Sequence, residues 1–187
     1  MSTIGHLAVG AALGRVTAPS ADRRARLWMG WLAFIAIAPD LDFIGVWFFG
    51  VGPGSTWNHR GATHSMAAAL VGGLLTVAVA PRLGIDRRLG FGSGLLAVAT
   101  HPILDGFCLH SAGSPLWWPL SLDFWQARAR FLPGVVETRD YFTGPGLLML
   151  WLELLWFAPF LWIALRRRRA PGVPAHPPAG QKNTGGE

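Results

Sequence analysis

Cysteine occurs once in the 187 residues, at Cys108, and tyrosine once, at Tyr141. A single cysteine excludes an intrachain disulfide and a thiolate metal cluster, so any metal must be held by histidine and carboxylate. Charge is also scarce, at 14% of residues, against about 25% in an average soluble domain. Lysine is nearly missing: 15 of the 16 basic residues are Arg. The first residues lack the basic start, apolar core and small-residue cleavage site of a secretory signal. Processing there would in any case endanger His6, so the N-terminal segment is expected to stay.

What the chain does contain is apolar. Hydrophobic residues make up 51%, with 10 Trp and 11 Phe, and mean hydropathy is +0.36. The net charge of +6 would suit a nucleic-acid binder, but the Arg residues flank hydrophobic stretches instead of lining a polar groove. No nucleic-acid partner is expected. Apolar runs at 4–17, 27–49, 65–80, 89–109 and 144–165 predict an all-α, multi-pass transmembrane bundle of four to five membrane helices. A bilayer core about 30 Å thick needs roughly 20 helical residues, a length met by 27–49, 89–109 and 144–165. The run at 65–80 is short, and 4–17 either spans part-way or lies against the bundle. Basic segments at 15–26, 82–88 and 166–169 place those ends in the cytoplasm. The N-terminal tip and the loops at 50–64 and 110–143 then face outward, and the C-terminus is cytoplasmic. Residues 1–169 form one membrane-embedded domain, and 170–187, rich in Pro and Gly, form a disordered tail.

Polar groups inside a bilayer are expensive and mostly functional. From the cytoplasmic side, Asp40 lies about 18 Å along its helix, His101 about 16 Å and Asp105 about 22 Å along theirs. From the outer side, Glu153 lies about 10 Å in. His6 and His64 head their helices at the outer end, so these groups meet in the outer half of one bundle. His101 and Asp105, four apart, share a helix face; the plainer reading is a buried hydrogen-bonded pair. Asp40 and Asp42 follow Pro39, and only a helix break aims both inward; otherwise one of them is a helix cap. His59 and His64 flank Arg60 just before a helix, as ligands, a ligand and a proton shuttle, or plain loop histidines. His6, Asp40, Asp42, His59, His64, His101 and Asp105 are thus seven candidate N/O ligands, a set that suits zinc, manganese or iron. Seven donors exceed one tetrahedral shell, which points to two ions or to one ion with outer-shell partners. Arg60 can pair with an anionic substrate oxygen or anchor a lipid headgroup. His110 and His176 are assigned nothing.

The early His, Pro39-Asp40-Leu41-Asp42, His59-Arg60-Gly61-Ala62-Thr63-His64-Ser65 and His101-Pro102-Ile103-Leu104-Asp105 together resemble the membrane-bound metal-dependent hydrolases related to the bacterial inner-membrane protein YdjM. Ser114-Pro115-Leu116-Trp117-Trp118-Pro119 resembles the proline-containing loop that follows in that family. The match runs from about His6 to Pro119. It implies a multi-pass plasma-membrane protein, distantly akin to the helical zinc phospholipase C and P1-type nuclease fold. It also implies His6, Asp40, His59, His64, His101 and Asp105 as ligands of one or more divalent ions, zinc first. Asp42 and Arg60 would then serve the catalysis. The expected function is hydrolysis of a phosphoester such as a phospholipid. The alternatives are an ion or proton transporter and a structural protein whose polar groups glue helices together. Glu153 and the loop at 120–143 lie outside this resemblance.

Overall fold

A computed structural model of the chain describes residues 3–19, 22–52, 55–134 and 142–166. Six α-helices follow in order: α1 (Thr3–Thr17), α2 (Arg23–Ile37), α3 (Phe43–Phe49), α4 (Met66–Val79), α5 (Arg87–Gly106) and α6 (Gly144–Leu165). Short 3-10 turns at Ala38–Asp42, Ala62–His64 and Ala80–Leu83 join or precede them. The expected tail at 170–187 and the basic residues Arg167, Arg168 and Arg169 lie outside the described residues.

The helix ends are written in local chemistry. The side chains of Asp22, Ser65 and Thr143 accept from backbone N–H groups in the first turns of α2, α4 and α6, as N-caps do. Asp86 caps α5 by accepting from the backbone N–H groups of Leu89 and Arg88. Those bonds favour the ionised carboxylate and hold its pKa below the usual range.

Among the described residues, three helical stretches are long and apolar enough to cross a membrane: Arg23–Phe49, Met66–Leu83 and Gly144–Leu165. The chain is therefore an all-α, multi-pass membrane bundle. One length and one hydropathy differ from the sequence reading. The short run at 65–80 reaches 18 residues because the turn at Ala80–Leu83 continues it. The third expected span, α5, has 20 residues but carries Gly, Ser, His and Asp among its apolar ones. Most of those small and polar residues are buried against neighbours, so its low hydropathy reflects protein contact and not water.

Small residues let the helices close on one another, the usual device where lipid supplies no hydrophobic drive between helices. A Cβ on Gly10 would lie 2.5 Å from the Leu32 carbonyl oxygen, and one on Gly14 would lie 2.6 Å from Met29 Cα. These glycines draw α1 onto α2. Gly72, Gly90 and Gly94 do the same between α4 and α5. Trp28, Leu32, Ile35, Ala36, Ala97 and Val98 form the core between α2 and α5. The buried Trp28 and the partly buried Trp31 donate their indole N–H groups to Thr17 and Thr76, so neither ring strands a donor. Leucines and tryptophans on α4 and α6 (Leu70, Leu74, Leu148, Trp151, Leu155, Trp162) are instead exposed. An apolar face of that extent belongs against lipid.

α6 runs parallel to α1. Glu153 accepts from the backbone N–H of Gly5 near one end, and Arg15 donates to the Arg166 carbonyl near the other. The loop after α5 folds back over the end of its own helix, with Ala127 and Phe131 donating to the carbonyls of Gly106 and Phe107. Met66 N–H donates to the Leu116 carbonyl and pins that loop to the start of α4. The polar cluster sits under this cover, at the end of the bundle where α2 and α5 finish and α1 and α4 begin.

Candidate metal centre

The site begins with Pro39. Without an N–H it cannot continue the α-helical ladder, and the chain tightens into a 3-10 turn over Ala38–Asp42. Residues two apart stand about 200° apart on an α-helix but about 240° apart on a 3-10 turn of three residues. This tightening brings Asp40 and Asp42 towards one side, and both reach the cluster. Asp42 occupies the N-cap position of α3 yet makes no capping bond with its side chain.

Asp42 instead gathers the loop. Its Oδ1 accepts from His59 Nδ1 at 2.9 Å, and its Oδ2 accepts from Arg60 N–H at 3.2 Å and from Thr63 Oγ1 at 2.8 Å. His64 Nδ1 lies 3.3 Å from the same oxygen and 3.0 Å from Thr63 Oγ1. Phe43 stacks on the His59 ring with centroids 3.7 Å apart. Arg60 takes a left-handed backbone (φ 64°), which costs of order 1–3 kcal/mol for a non-glycine residue. Its N–H bond to Asp42 and the Nη1 bond to Ser111 Oγ at 2.6 Å hold it there. At Gly61 any Cβ would strike the carbonyl oxygen of Thr56, so the turn between the two histidines has no room for a side chain.

The remaining ligand candidates come from helices. His101 Nδ1 lies 2.7 Å from the Ala36 carbonyl, to which it donates. Its Nε2 then faces Asp40 Oδ1 at 3.2 Å and Asp105 Oδ2 at 3.9 Å. His64 Nε2 faces the same two carboxylates at 3.5 and 3.9 Å. His6 lies stacked on His101 with ring centroids 3.6 Å apart, its Nε2 3.5 Å from Asp105 Oδ1. His6, His64, His101 and Asp105 are buried, while Asp40 and His59 are partly open. Arg60 Nε stands 3.9 Å from Asp105 Oδ2.

All six residues read as ligands therefore meet, in three overlapping groups: His6, Asp40 and His101; Asp40, His59 and His64; and His64, His101 and Asp105. Within each group the donor atoms lie within 4.8 Å of one another, and any of the groups can hold a divalent ion. The chemistry of these atoms asks for a cation. Once Nδ1 of His101 donates to a carbonyl, a neutral ring turns a lone pair towards the Asp40 carboxylate. Two acceptors 3.2 Å apart need a proton or a metal between them. Both ring nitrogens of His6, and Nε2 of His64, are buried with no hydrogen-bond partner. Buried polar atoms are normally satisfied, and a metal satisfies one such nitrogen of each ring directly. The Nδ1 contacts of His59 and His64 with Asp42, and of His101 with Ala36, are the outer-shell arrangement that orients metal-bound imidazoles.

Two participants escaped the sequence reading. Ser111, which holds Arg60, sits in a loop with no pattern to mark it. Glu153 carried a signal as an acid inside an apolar helix, but no role was assigned to it; it is buried and secures the start of α1. His110 lies apart from the cluster, 3.3 Å from the Gly134 carbonyl.

No curated protein and no solved structure matches the chain significantly. The YdjM inner membrane protein family matches residues 1–171; its description names a location and no chemistry. With nearly the whole chain covered, including every residue of the cluster, the protein belongs to the YdjM inner membrane protein family.

Proposed function

We propose that the protein is a membrane-embedded metal-dependent hydrolase whose substrate is a phosphoester such as a phospholipid. The observation that carries this reading is the set of buried imidazole nitrogens turned onto shared carboxylates: the partnerless Nε2 of His6 and of His64, and Nε2 of His101 against Asp40. His6, Asp40, His59, His64, His101 and Asp105 would hold one or more divalent ions, zinc first and manganese or iron as alternatives. Such an ion supplies Lewis acidity, lowering the pKa of a water and offsetting charge on a phosphoryl oxygen. Asp42 orients His59 and His64 through their Nδ1 atoms, and its oxygens are occupied by the loop, so it acts on position and not as a free base. Arg60, beside Asp105 and on the open side of the cluster, supplies a fixed positive charge for an anionic oxygen.

With α1 and α5 counted, five helices would cross the membrane. The Arg-bearing ends of α1, α2 and α5 would then face the cytoplasm and the cluster would lie in the outer half. The transporter alternative needs a route past the cluster towards those Arg-bearing ends. Trp28, Leu32, Ile35, Ala97 and Val98 fill that direction, which favours chemistry over passage.

The test is metal analysis and phosphodiester cleavage by detergent-purified protein, with chelation and metal add-back. Wild type is expected to hold at least one divalent ion. His101→Ala and Asp105→Ala should each lose most of it, and activity with it. Folded wild-type protein without metal, or cleavage that survives both chelation and Asp105→Ala, overturns the reading.

A further inference from the structure

Beside the cluster lies a pocket of about 200 Å³ whose lining includes Asn58, His59, Arg60, Trp118, Leu122 and Phe124. Its two walls differ in kind. The wall from the loop before α4 is polar, with Ser55, Thr56 and Asn58 leading to His59 and Arg60. The opposite wall, from the loop after α5, is Pro115, Trp118, Leu122 and Phe124. His59 and Arg60 belong to pocket and cluster alike, through Asp42 and Asp105, so the pocket is the approach to the site.

The apolar wall also points outward. Leu122 is 70% exposed, Phe124 56% and the neighbouring Leu120 91%. Trp57 and Trp118 meet edge to face at 6.2 Å, and Trp57 and Trp117 are largely exposed. Tryptophans and bare aliphatic side chains together at the end of a membrane bundle sit at the level of lipid headgroups. A soluble substrate would gain nothing from such a rim, whereas an amphiphile already in the bilayer meets it on the way in. The volume is small beside the usual 300–1,000 Å³ or so of a ligand pocket. It therefore takes one segment of a lipid and leaves the rest in the membrane.

We propose that this pocket holds a membrane phospholipid by its interfacial segment, the phosphodiester against Arg60 and His59 and the glycerol side against Trp118, Leu122 and Phe124. The proposal names the substrate class of the hydrolase reading and rests on it. Its test, however, requires no turnover. Full-length protein in liposomes is irradiated with a phosphatidylcholine carrying a diazirine near its glycerol, and the labelled peptides are mapped. Wild type should label residues 115–124 well above the lipid-facing surface of α4. Leu122→Ser with Phe124→Ser, both at exposed positions, should cut that label about tenfold, the loss of roughly one buried apolar contact. Label on α4 should be unchanged, and chelation should not abolish the signal at 115–124. Labelling of 115–124 no stronger than of α4, or indifferent to the double substitution, overturns the proposal even if the protein hydrolyses lipid. Displacement of the label by excess glycerophosphocholine would assign the pocket to a soluble diester and overturn it as well. Specific labelling without any hydrolysis would leave the pocket standing and remove the hydrolase reading instead.

Discussion

Asp42→Asn separates orientation from ligation. The carboxylate accepts from His59 Nδ1, Arg60 N–H and Thr63 Oγ1 over both oxygens, with His64 Nδ1 3.3 Å from one of them. Asparagine keeps one acceptor oxygen and puts an NH2 group where the other stood. Turned one way, the amide sets its NH2 against His59 Nδ1; turned the other, against Arg60 N–H and Thr63 Oγ1. Loss of such an outer-shell partner typically costs about 10–100-fold in metal affinity, or about 1.4–2.7 kcal/mol. Removing the direct ligand candidates Asp105 or His64 should cost more. The assay is competition with a chromophoric chelator for the metal, paired with thermal unfolding of metal-free and metal-loaded protein. The metal-free midpoint should fall by the cost of the donor left unpaired, about 1–3 kcal/mol, so the metal effect is read as the increment above it. The increment from metal should shrink at fixed ion concentration, since that increment follows the logarithm of concentration over Kd. Unchanged affinity in Asp42→Asn would refute the orienting role. A collapse as complete as that of Asp105→Ala would also refute it, by making Asp42 a ligand.

Three further outcomes follow from contacts already described. Glu153→Ala removes the acceptor for the Gly5 N–H, a loss of about 1–3 kcal/mol if that donor stays dry. Metal occupancy and thermal midpoint should both fall, whereas Glu153→Gln, which keeps an acceptor, should restore most of each; equal damage from both would place the effect in charge. Gly94→Val drives a side chain into Thr76 and should destabilise the α4–α5 pair by about 1–3 kcal/mol, the usual cost of overpacking, read as a lower thermal midpoint in detergent. A reporter fused after Arg169 should signal from the cytoplasm, and a periplasmic signal would invert the proposed topology.

Helices were the most legible part of the sequence. The run at 144–165 matches α6 residue for residue, because Thr143 caps it and nothing polar but Glu153 interrupts it. The ligand candidates were legible too, since imidazoles and carboxylates inside apolar runs have few structural uses. The sharing of donors was not. Asp42 and His59 are 17 residues apart and Arg60 and Ser111 are 51 apart, and these contacts follow from how two loops fold over the helix ends. α4 ends at Val79, as the run at 65–80 indicates; what the run did not show is that a 3-10 turn through Pro81 continues the span to 18 residues, where proline usually marks a stop. α5 reads as less apolar than a lipid-facing span because its small and polar residues face protein.

The bond between Gly5 and Glu153 spans 148 residues and has a consequence for biosynthesis. Of the six described helices, α1 leaves the ribosome first and α6 last. At about 5–20 residues per second, the partner that fixes the start of α1 is made roughly 7–30 s after it. Until then His6 has no seat from α6, while the groups on α2, α4 and α5 are already made. The seat of α1 is thus complete only once α6 is made, and a translation product stopped before α6 would carry all six ligand candidates without the first helix locked in place.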